Sequence, residues 1–504
     1  MWIDRESHTI KTDKMKKAGL ILILVTTIFL NGHSQNFDDA LRYSQIFYSG
    51  TARFMSMGGA FTALGGDLSA IGLNPAGTGV FRLFEFSLTP HMFYNNTSSL
   101  YNKTSSSDFR YSFNLGQIGV VSNIISTGNE TGLVSLNAAY SFNKTNNFNE
   151  NNSIHGISDS SSMADYWVNI ANGNTKMDIP NDSWAAYKTW LIDTLSGSNT
   201  LYGTIFSYYG DSAYTYGQTV TRTIENGGYT GEHSFSIGAN YSNKFYFGAT
   251  LGISSLKYTG HYQHNEAAIE NVIYDFKNFT YTDHFDASGT GFSLKIGTII
   301  RPAEYLRIGF ALHSPVVYRI NESFFNNITA AYIISNPDPY FNTTNRYKYT
   351  FTTPFRANAG VALQIFKLGI ISADYEFVDY RMARFSRAID DENFDKENTG
   401  IKKNLLSTSN LRLGAELRLS NIYLRGGYSY YGKPLKADDV NKNLNYNVLS
   451  FGIGMRQQNF YFDLAFTALS YSSKSYMYYD PPFLQPVTID TKKSTFAATM
   501  RFKF

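Results

Sequence analysis

Apolar and polar residues alternate along fourteen segments between Leu83 and Phe504. A period of two is expected of β-strands that have one apolar and one polar face. We predict strands at roughly 83–95, 109–125, 131–144, 230–243, 244–262, 279–300, 304–320, 346–365, 367–382, 404–419, 421–432, 446–457, 459–473 and 494–504. An even number of antiparallel strands is typical of an all-β membrane protein, a fourteen-stranded transmembrane β-barrel.

The connections between these segments alternate between long and short. Long loops are predicted near 96–108, 145–229, 263–278, 321–345, 383–403, 433–445 and 474–493. Short turns are predicted around Gly128-Asn129, Asn243-Lys244, Pro302-Ala303, Phe366, Ser420 and Gln458, and several of these are residues that tight turns favour. Transmembrane barrels gather long loops at the outer rim and short turns at the periplasmic rim. The alternation therefore also predicts the orientation of the barrel.

Charged residues within the strands fall on one face. Arg or Lys on the lipid face at mid-bilayer costs about 2–4 kcal/mol, whereas the same charge in a wet lumen costs little. We therefore predict that the charged face lines the lumen as ion pairs, with Arg356, Asp374, Glu376, Arg412, Glu416 and Arg425 among its members. A soluble β-sandwich also alternates, but its strands would be shorter and would lack the loop asymmetry.

Composition limits the remaining possibilities. Aromatic residues make up 16% of the chain, and we expect tyrosines near strand ends to form a girdle at the membrane interface: Tyr258, Tyr262, Tyr318, Tyr380, Tyr428, Tyr430, Tyr431 and Tyr471. No apolar stretch of about 20 residues follows the N-terminus, which argues against transmembrane helices. A net charge of +3 without a basic cluster gives no indication of nucleic acid binding. The absence of cysteine excludes disulfides and thiolate metal sites.

The N-terminus carries a predicted secretory signal from Met15 to Ser34. Lys16 and Lys17 form its positive region, 18–30 its apolar region, and small residues follow for cleavage. Residues 1–34 are therefore interpreted as an upstream extension and a signal peptide of a protein of the bacterial outer membrane. We expect the C-terminal Phe504 to contact the barrel-assembly machinery, and outer-membrane lipids to surround the wall.

Residues 35–82 differ in composition from the barrel that follows at 83–504. Glycine and other small residues dominate 50–77, with apolar residues spaced as in short helices. The lumen of a fourteen-stranded barrel is wider than one that wall side chains can fill. Glycine permits left-handed turns and a close approach to the wall. The segment is therefore predicted to be a small helical hatch inside the lumen.

Three motifs in this segment resemble a known family. Gly58-Gly59-Ala60-Phe61, Gly66-Asp67 and Asn74-Pro75-Ala76-Gly77 are similar to motifs of the FadL/TodX outer-membrane transporters of hydrophobic compounds, particularly the Bacteroidetes type. The resemblance implies a hatch with Gly58, Gly59, Gly66, Asp67, Asn74, Pro75 and Gly77 as candidate gating residues. It also implies a sideways exit beside an inward kink in the third strand.

Two details leave alternatives open. The third strand has Asn137 and Ala138-Ala139 where a kink would be expected, but no Pro or internal Gly. The turn from Asn74 to Gly77 can be a rigid corner without a gating role, because Asn caps its own turn, Pro fixes φ and Gly accepts left-handed geometry.

The longest loop contains a candidate ligand-capture helix. With Asp182 as the N-cap, Trp184, Tyr187, Leu191 and Leu195 recur at helical spacing. The resulting apolar stripe could capture a hydrophobic ligand, or it could fold the loop down as a lid over the rim.

Histidines do not indicate a metal, haem or catalytic site. His261 and His264 lie three apart on a strand and therefore point to opposite faces. His313-Ser314 has no discernible acidic partner. We therefore predict no cofactor and no enzymatic reaction.

The sequence predicts an outer-membrane channel for hydrophobic small molecules such as long-chain fatty acids, gated by the hatch. The alternative is an outer-membrane barrel of a type IX protein secretion apparatus, which would use the long loops as a scaffold for cargo proteins.

Overall fold

The fold was analysed in a computed structural model that describes residues 36–206, 216–269, 275–334, 336–387, 393–478 and 485–504. The predicted signal peptide from Met15 to Ser34 lies outside the described residues.

One large antiparallel sheet dominates the described residues. The strand segments are β1 Glu85–Tyr101, β2 Thr104–Ser126, β3 Leu133–Asn147, β4 Glu150–Ser158, β5 Ile192–Thr194, β6 Tyr202–Thr204, β7 Gln218–Tyr241, β8 Phe245–Ala268, β9 Phe276–Ala303, β10 Leu306–His313, β11 Val317–Tyr332, β12 Tyr340–Phe341, β13 Asn345–Thr352, β14 Arg356–Ile365, β15 Gly369–Asp379, β16 Arg384–Arg387, β17 Ser407–Leu419, β18 Ile422–Tyr431, β19 Tyr446–Gln457, β20 Phe460–Ser475 and β21 Val487–Lys503.

These segments form fourteen barrel strands. Four strands are each interrupted once, so that β3–β4, β10–β11, β13–β14 and β15–β16 are single strands of the wall. The last strand, β21, pairs with β1 from Lys503 opposite Glu85 to Thr488 opposite Leu100. The sheet therefore closes on itself, and the predicted fourteen-stranded barrel is confirmed, whereas a two-sheet sandwich is excluded.

The loop predicted at 96–108 is wrong. Strands β1 and β2 continue to Tyr101 and from Thr104, and only Asn102-Lys103 connects them, with φ of 43° and 69°. A two-residue turn with positive φ suits the right-handed twist of a hairpin. The prediction failed because this end of the hairpin is rich in Ser and Thr and loses the apolar alternation. The short turns at Phe366, Ser420 and Gln458 are confirmed, with φ of 49°, 58° and 43°.

The two faces of the wall differ as an embedded barrel requires. Leu413 exposes 51% and Phe496 47% of their surface on the outside, whereas the adjacent Arg412 is fully buried inside. An outward apolar band on a closed barrel with an even number of strands is the architecture of bacterial outer-membrane proteins. The chain is therefore an outer-membrane β-barrel. Among the described helices, none has the length and apolarity needed to cross a bilayer.

The predicted aromatic girdle is wrong in part. Tyr258, Tyr318, Tyr380 and Tyr431 are buried and face the interior, where they pack with other apolar groups. The position of a tyrosine near a strand end does not show whether its side chain points outward or inward. Side chains alternate between the two faces of a strand, so only the residue's place in that alternation decides the direction.

In the described part of the chain, five α-helices accompany the barrel: α1 Phe37–Ser44, α2 Ala52–Ser56, α3 Met163–Ala171, α4 Asn181–Lys188 and α5 Asp395–Asn404. Two 3₁₀ helices, Ala70–Gly72 and Pro75–Val80, follow α2. Helix α1 packs against α5 and upper-wall side chains such as Tyr258 and Phe351. The segment from 51 to 79 is almost entirely buried against the wall. The N-terminal helices therefore lie in the lumen, as the predicted fold requires.

The long outer loop folds into a small lid. Helices α3 and α4 and the β5–β6 hairpin share a core with the upper parts of β9 and β11, in which Trp167, Leu191 and Phe279 are fully buried. The predicted helix is shorter than expected: Pro180 rather than Asp182 is the N-cap, and Lys188 is the last helical residue. Leu191 consequently lies in the lid core, while Trp184 and Tyr187 are half-buried and stacked 5.6 Å apart.

Candidate functional site

The hatch, which we define as residues 50–81, is held together by its own polar contacts. The Thr51 side chain caps α2 and donates a 2.7 Å hydrogen bond to Asp67. Asp67 also accepts from the Ser69 backbone and forms a 2.7 Å ion pair with Arg501 of the wall. Asp67 is fully buried, so its charge depends on these partners. One aspartate thus joins two parts of the hatch to the last barrel strand.

A second contact joins α2 to a charge network in the wall. Arg53 donates two hydrogen bonds to Glu416, of 2.9 and 3.2 Å. Arg425 contacts Glu416 at 2.6 Å and Asp463 at 2.7 Å. Burial lowers the pKa of Arg53, but the Glu416 carboxylate more than offsets this and raises that pKa above its ordinary value. The hatch therefore contributes one cation to a buried chain of alternating charges.

A third contact uses the acidic pair of β15. Asp374 accepts hydrogen bonds from the backbone N–H of Thr62 at 2.9 Å and from its hydroxyl at 2.7 Å. Glu376 accepts from Tyr48 at 2.7 Å and pairs with Arg356 at 2.8 Å. Arg412 lies between the two carboxylates, at 3.8 and 3.4 Å. All six charged residues singled out in the sequence are thus buried in the lumen, in two networks that touch the hatch.

Sequence reasoning missed a fourth contact. Lys295 pairs with Glu232 at 2.6 Å and donates to the Gly72 carbonyl at 2.7 Å. His313 forms a 2.7 Å hydrogen bond with the Leu73 carbonyl and thereby joins β10 to the hatch. The alternation in β9 and β10 contained the signal, because both side chains occupy the polar face of their strands.

The hatch glycines serve two different purposes. Gly58, Gly59 and Gly66 have φ of 61°, 70° and 65°, which other residues rarely adopt. The left-handed geometry expected of Gly77 is wrong, since its φ is not positive. A Cβ on Gly77 would lie 3.0 Å from the Cα of Gly65, so this position is small because two backbones touch.

Wall glycines mark where the hatch touches the barrel. A Cβ on Gly309 would lie 2.1 Å from the Thr62 carbonyl oxygen, and one on Gly414 would lie 2.5 Å from that of Met57. A Cβ on Gly248 would likewise lie 2.2 Å from the Pro75 carbonyl oxygen. Glycine inside a strand indicates a close backbone approach. These positions could have located the hatch-facing belt of the wall from the sequence.

Asn74 and Pro75 form the corner expected between the hatch and the wall. The Asn74 side chain accepts a hydrogen bond from Ala76 and donates to the carbonyls of Thr62 and Thr298, at 2.6 and 3.2 Å. Pro75 opens the following 3₁₀ helix. Asn74 therefore links two parts of the hatch to strand β9 with a single amide.

A cavity of about 500 Å³ lies on the outer side of the hatch. It is bounded by α1, by the hatch residues Met55 and Gly58, and by strands β18 to β21. Its lining combines apolar with polar groups: Leu41, Phe47, Phe93, Phe148, Val448, Leu469 and Ile489 with Tyr48, Lys144, Glu150, Tyr446 and Lys493. Such a mixed cavity suits an apolar molecule fixed by few polar contacts.

The wall is not continuous beside this cavity. Strand β2 pairs with β1 from Thr104 to Val121, but with β3 only from Gln117 to Ser126. Strand β4 lies over the inner face of the β1–β2 hairpin, where Thr97 donates to the Asn151 carbonyl at 2.7 Å. Among the described residues, the β2 edge from Thr104 to Gly116 therefore has no second strand partner. We call this unpaired stretch the wall gap.

The inward departure of β3 arises without Pro or internal Gly. The β3–β7 register shifts between Lys144 and Asn146, and two residues, Phe148 and Asn149, interrupt the strand. The backbone N–H of Phe148 then donates a hydrogen bond to the carbonyl of Gly228, and Gly228 has a φ of 103°. A β-bulge bends a strand in this way. The bend is supplied partly by the neighbouring strand and could not be identified within the third strand alone.

No group of three potential metal ligands was found among the described histidines and carboxylates. His264 is buried beside Glu266 at 2.9 Å, and His261 contacts His284 with 3.1 Å between their Nδ1 atoms. This second pairing was missed because its members come from different strands.

No protein-family model and no curated protein sequence matches the chain. Solved structures do match it. The Pseudomonas putida toluene transporter TodX is 10% identical and superposes with a TM-score of 0.51, covering 91% of this chain and 99% of its own. A Pseudomonas aeruginosa FadL homologue is 11% identical with a TM-score of 0.53, covering 92% of this chain and 100% of its own.

The chain has the FadL/TodX fold. A monoaromatic hydrocarbon channel, the deltaS2 mutant of TodX, gives the same result, with 10% identity, a TM-score of 0.53 and coverage of 90% of this chain and 98% of its own. The fold extends over nearly the whole chain, whereas the sequence resemblance was confined to the hatch motifs.

Proposed function

We propose that the protein carries hydrophobic small molecules, with long-chain fatty acids as one substrate class, across the outer membrane. The single observation that carries this proposal is the position of the 500 Å³ cavity, between the hatch and the wall gap. The transport role named for the structural neighbours, a toluene transporter and a monoaromatic hydrocarbon channel, supports it.

The route we propose runs from the cavity sideways through the wall. Phe93 lines the cavity and belongs to β1, the strand beside β2. Outside the gap, Phe109, Tyr111 and Phe113 expose 58%, 63% and 76% of their surface. An apolar molecule would therefore leave the cavity into the apolar phase of the membrane, without crossing the charged networks below.

Gating is proposed to reside in the hatch. Its contacts with Glu416, Asp374 and Arg501 are polar and buried, so they hold one closed arrangement and exclude ions. A ligand that displaces α1 or Met55 in the cavity would strain these contacts and shift the hatch. Gly58, Asn74 and Pro75, at the turns of the hatch, would be the positions that move.

A disulfide across the gap tests the exit route. The Asn149 side chain lies 3.4 Å from the Ser112 hydroxyl, and the chain contains no cysteine of its own. Ser112→Cys with Asn149→Cys should abolish uptake of labelled fatty acid by intact cells, and a reductant should restore it.

The matched control is Ser126→Cys with Ser135→Cys, which joins the same two strands below the gap. Uptake through the oxidised control should equal that of the parent. Full uptake through the oxidised Ser112–Asn149 pair would refute the sideways route.

Deletion of residues 36–80, which removes α1 together with nearly all of the hatch, tests the gating role. The variant should assemble, show the heat-dependent gel shift of a folded barrel and conduct ions in a planar bilayer, because the lumen is then unfilled. An assembled variant without added conductance would refute the gating role.

Mass spectrometry of the purified barrel tests the substrate class. Co-purified fatty acid or another apolar molecule is the expected result. Bound cargo protein without any lipid would instead favour the secretion scaffold.

A further inference from the structure

A second cavity lies beneath the lid, above the one already described. Its volume is about 580 Å³, and we call it the vestibule. The lid contributes Tyr166 and Asp182 to it, and the wall contributes Tyr258, Tyr262, Tyr281 and Asp283. Its lining is thus rich in tyrosine and carries carboxylates, unlike the mixed lining of the lower cavity.

Two of these carboxylates lie around one amide. Asn326 donates a 2.7 Å hydrogen bond to Asp182 and is the cross-strand partner of Asp283. The Asp283 Oδ1 atom is buried and has no hydrogen-bond partner among the described residues. Neither Asp182 nor Asp283 forms an ion pair within the described part of the chain. The vestibule therefore contains two carboxylates that no side chain of the described residues neutralises.

The arginine that borders the vestibule is already engaged. Arg42 of α1 also borders the vestibule, but it pairs with Asp39, one turn away on the same helix.

The rings of the vestibule already hold cations of the chain itself. The Arg42 guanidinium lies 4.5 Å from the centre of the Tyr258 ring, and that of Arg222 lies 4.6 Å from the Tyr262 ring. Aromatic faces attract cations, and most strongly where water is excluded. Burial also raises the pKa of Asp182, which shows how poorly the site solvates a lone carboxylate.

We propose that the vestibule binds an organic cation, an amine or quaternary ammonium that carries apolar groups. Its charge would neutralise Asp182 and Asp283, and its carbon groups would pack on the tyrosines. A metal ion fits less well, since Ca²⁺ requires six to eight oxygen ligands and Mg²⁺ a near-ideal octahedron. This site lies above the transport cavity and goes beyond the proposed function, because apolar transport requires no charge in the ligand.

Two isosteric probes test the proposal on the full chain in detergent. Benzyltrimethylammonium carries the positive charge, and neopentylbenzene has the same shape without it. By equilibrium dialysis, the cation should bind with at least about tenfold higher affinity after correction for partition into detergent, equivalent to about 1.4 kcal/mol. Equal affinity for both probes would overturn the proposal and leave only a hydrophobic cavity.

Variants locate the site. Asp283→Asn should weaken binding of the cation about tenfold, and so should Asp182→Asn in the lid. The matched control is Asp286→Asn, which lies on the same strand but on its exposed outer face and should bind as the parent does. Unchanged affinity in either vestibule variant, with the barrel folded by gel shift, would contradict the assignment. If Asp283→Asn fails to assemble, Asp182→Asn and the two probes decide the question.

Discussion

The hatch layer and the vestibule both bury charge inside the same barrel, but they treat it differently. Around the hatch, each carboxylate has a cation within reach: Glu416 contacts Arg53 and Arg425, and Glu376 contacts Arg356 and Arg412. In the vestibule, Asp182 and Asp283 have no such partner among the described residues. A closed, permanent contact requires neutralised charge, whereas an uncompensated carboxylate is suited to a ligand that arrives and leaves.

The difference follows from how each region is built. The hatch layer is formed by strand positions of fixed parity, so acidic and basic side chains of adjacent strands face one another. The vestibule joins a lid loop to the upper wall, and only tertiary folding brings Asp182 beside Asn326.

Removing a partner from the hatch layer should have the largest effect. Glu416→Gln leaves Arg53 and Arg425 in a buried site without their shared carboxylate, and we expect a loss of about 3–5 kcal/mol in the free energy of unfolding. Urea unfolding in detergent measures it. The control Glu304→Gln, at an exposed turn between β9 and β10, should be nearly silent. Similar losses for both would show that the pairing adds nothing.

Glu416 lies on the inner face of β17, where charge is needed. On the outer face of the same strand, an added charge should destabilise the barrel. Leu413→Arg places a cation in lipid beside the buried Arg412, and we expect a loss of about 2–4 kcal/mol if the site lies near mid-bilayer. Leu413→Ala should cost less. Equal urea midpoints for the two variants would contradict the assignment of the lipid-facing side.

The lid should respond to pH through Asp165 of α3. Burial raises the pKa of Asp165 from 3.8 to about 6. Between these values the docked lid retains a proton that the undocked lid has lost, so docking should weaken as pH rises from about 4 through 6. Limited proteolysis of the lid loop across this range measures the effect. Asp165→Asn should reduce the trend and leave the part that comes from Asp182, whose pKa burial also raises. Asp159→Asn, at an exposed residue at the start of the loop, should preserve the full trend.

The smallest effect is expected in the vestibule, where it sharpens the contrast with Glu416→Gln. Asp283→Asn removes a carboxylate without an ion-pair partner, so the free energy of unfolding should change by no more than about 1 kcal/mol or rise slightly. The same urea experiment measures it. A loss as large as that of Glu416→Gln would show that Asp283 is a structural partner, and the two regions would then not differ.

Much of the wall could be predicted from the sequence. Alternation placed Leu413 outside and Arg412 inside because the pleat has a period of two, and Phe366, Ser420 and Gln458 occupy tight turns as expected. The same reasoning failed at residues 96–108, because this end of the hairpin is rich in Ser and Thr and shows no apolar alternation. It also assigned Tyr258 to the girdle, because proximity to a strand end does not define a face.

The sequence by itself determined the barrel, its strand number and the polarity of each strand face, since these depend on local periodicity. Only the tertiary structure decided the wall gap, the partners of each lumen charge and the vestibule. These features depend on contacts between residues that are distant along the chain. Lys144, Gly228 and Asp182 acquire their roles from neighbours that no local pattern specifies.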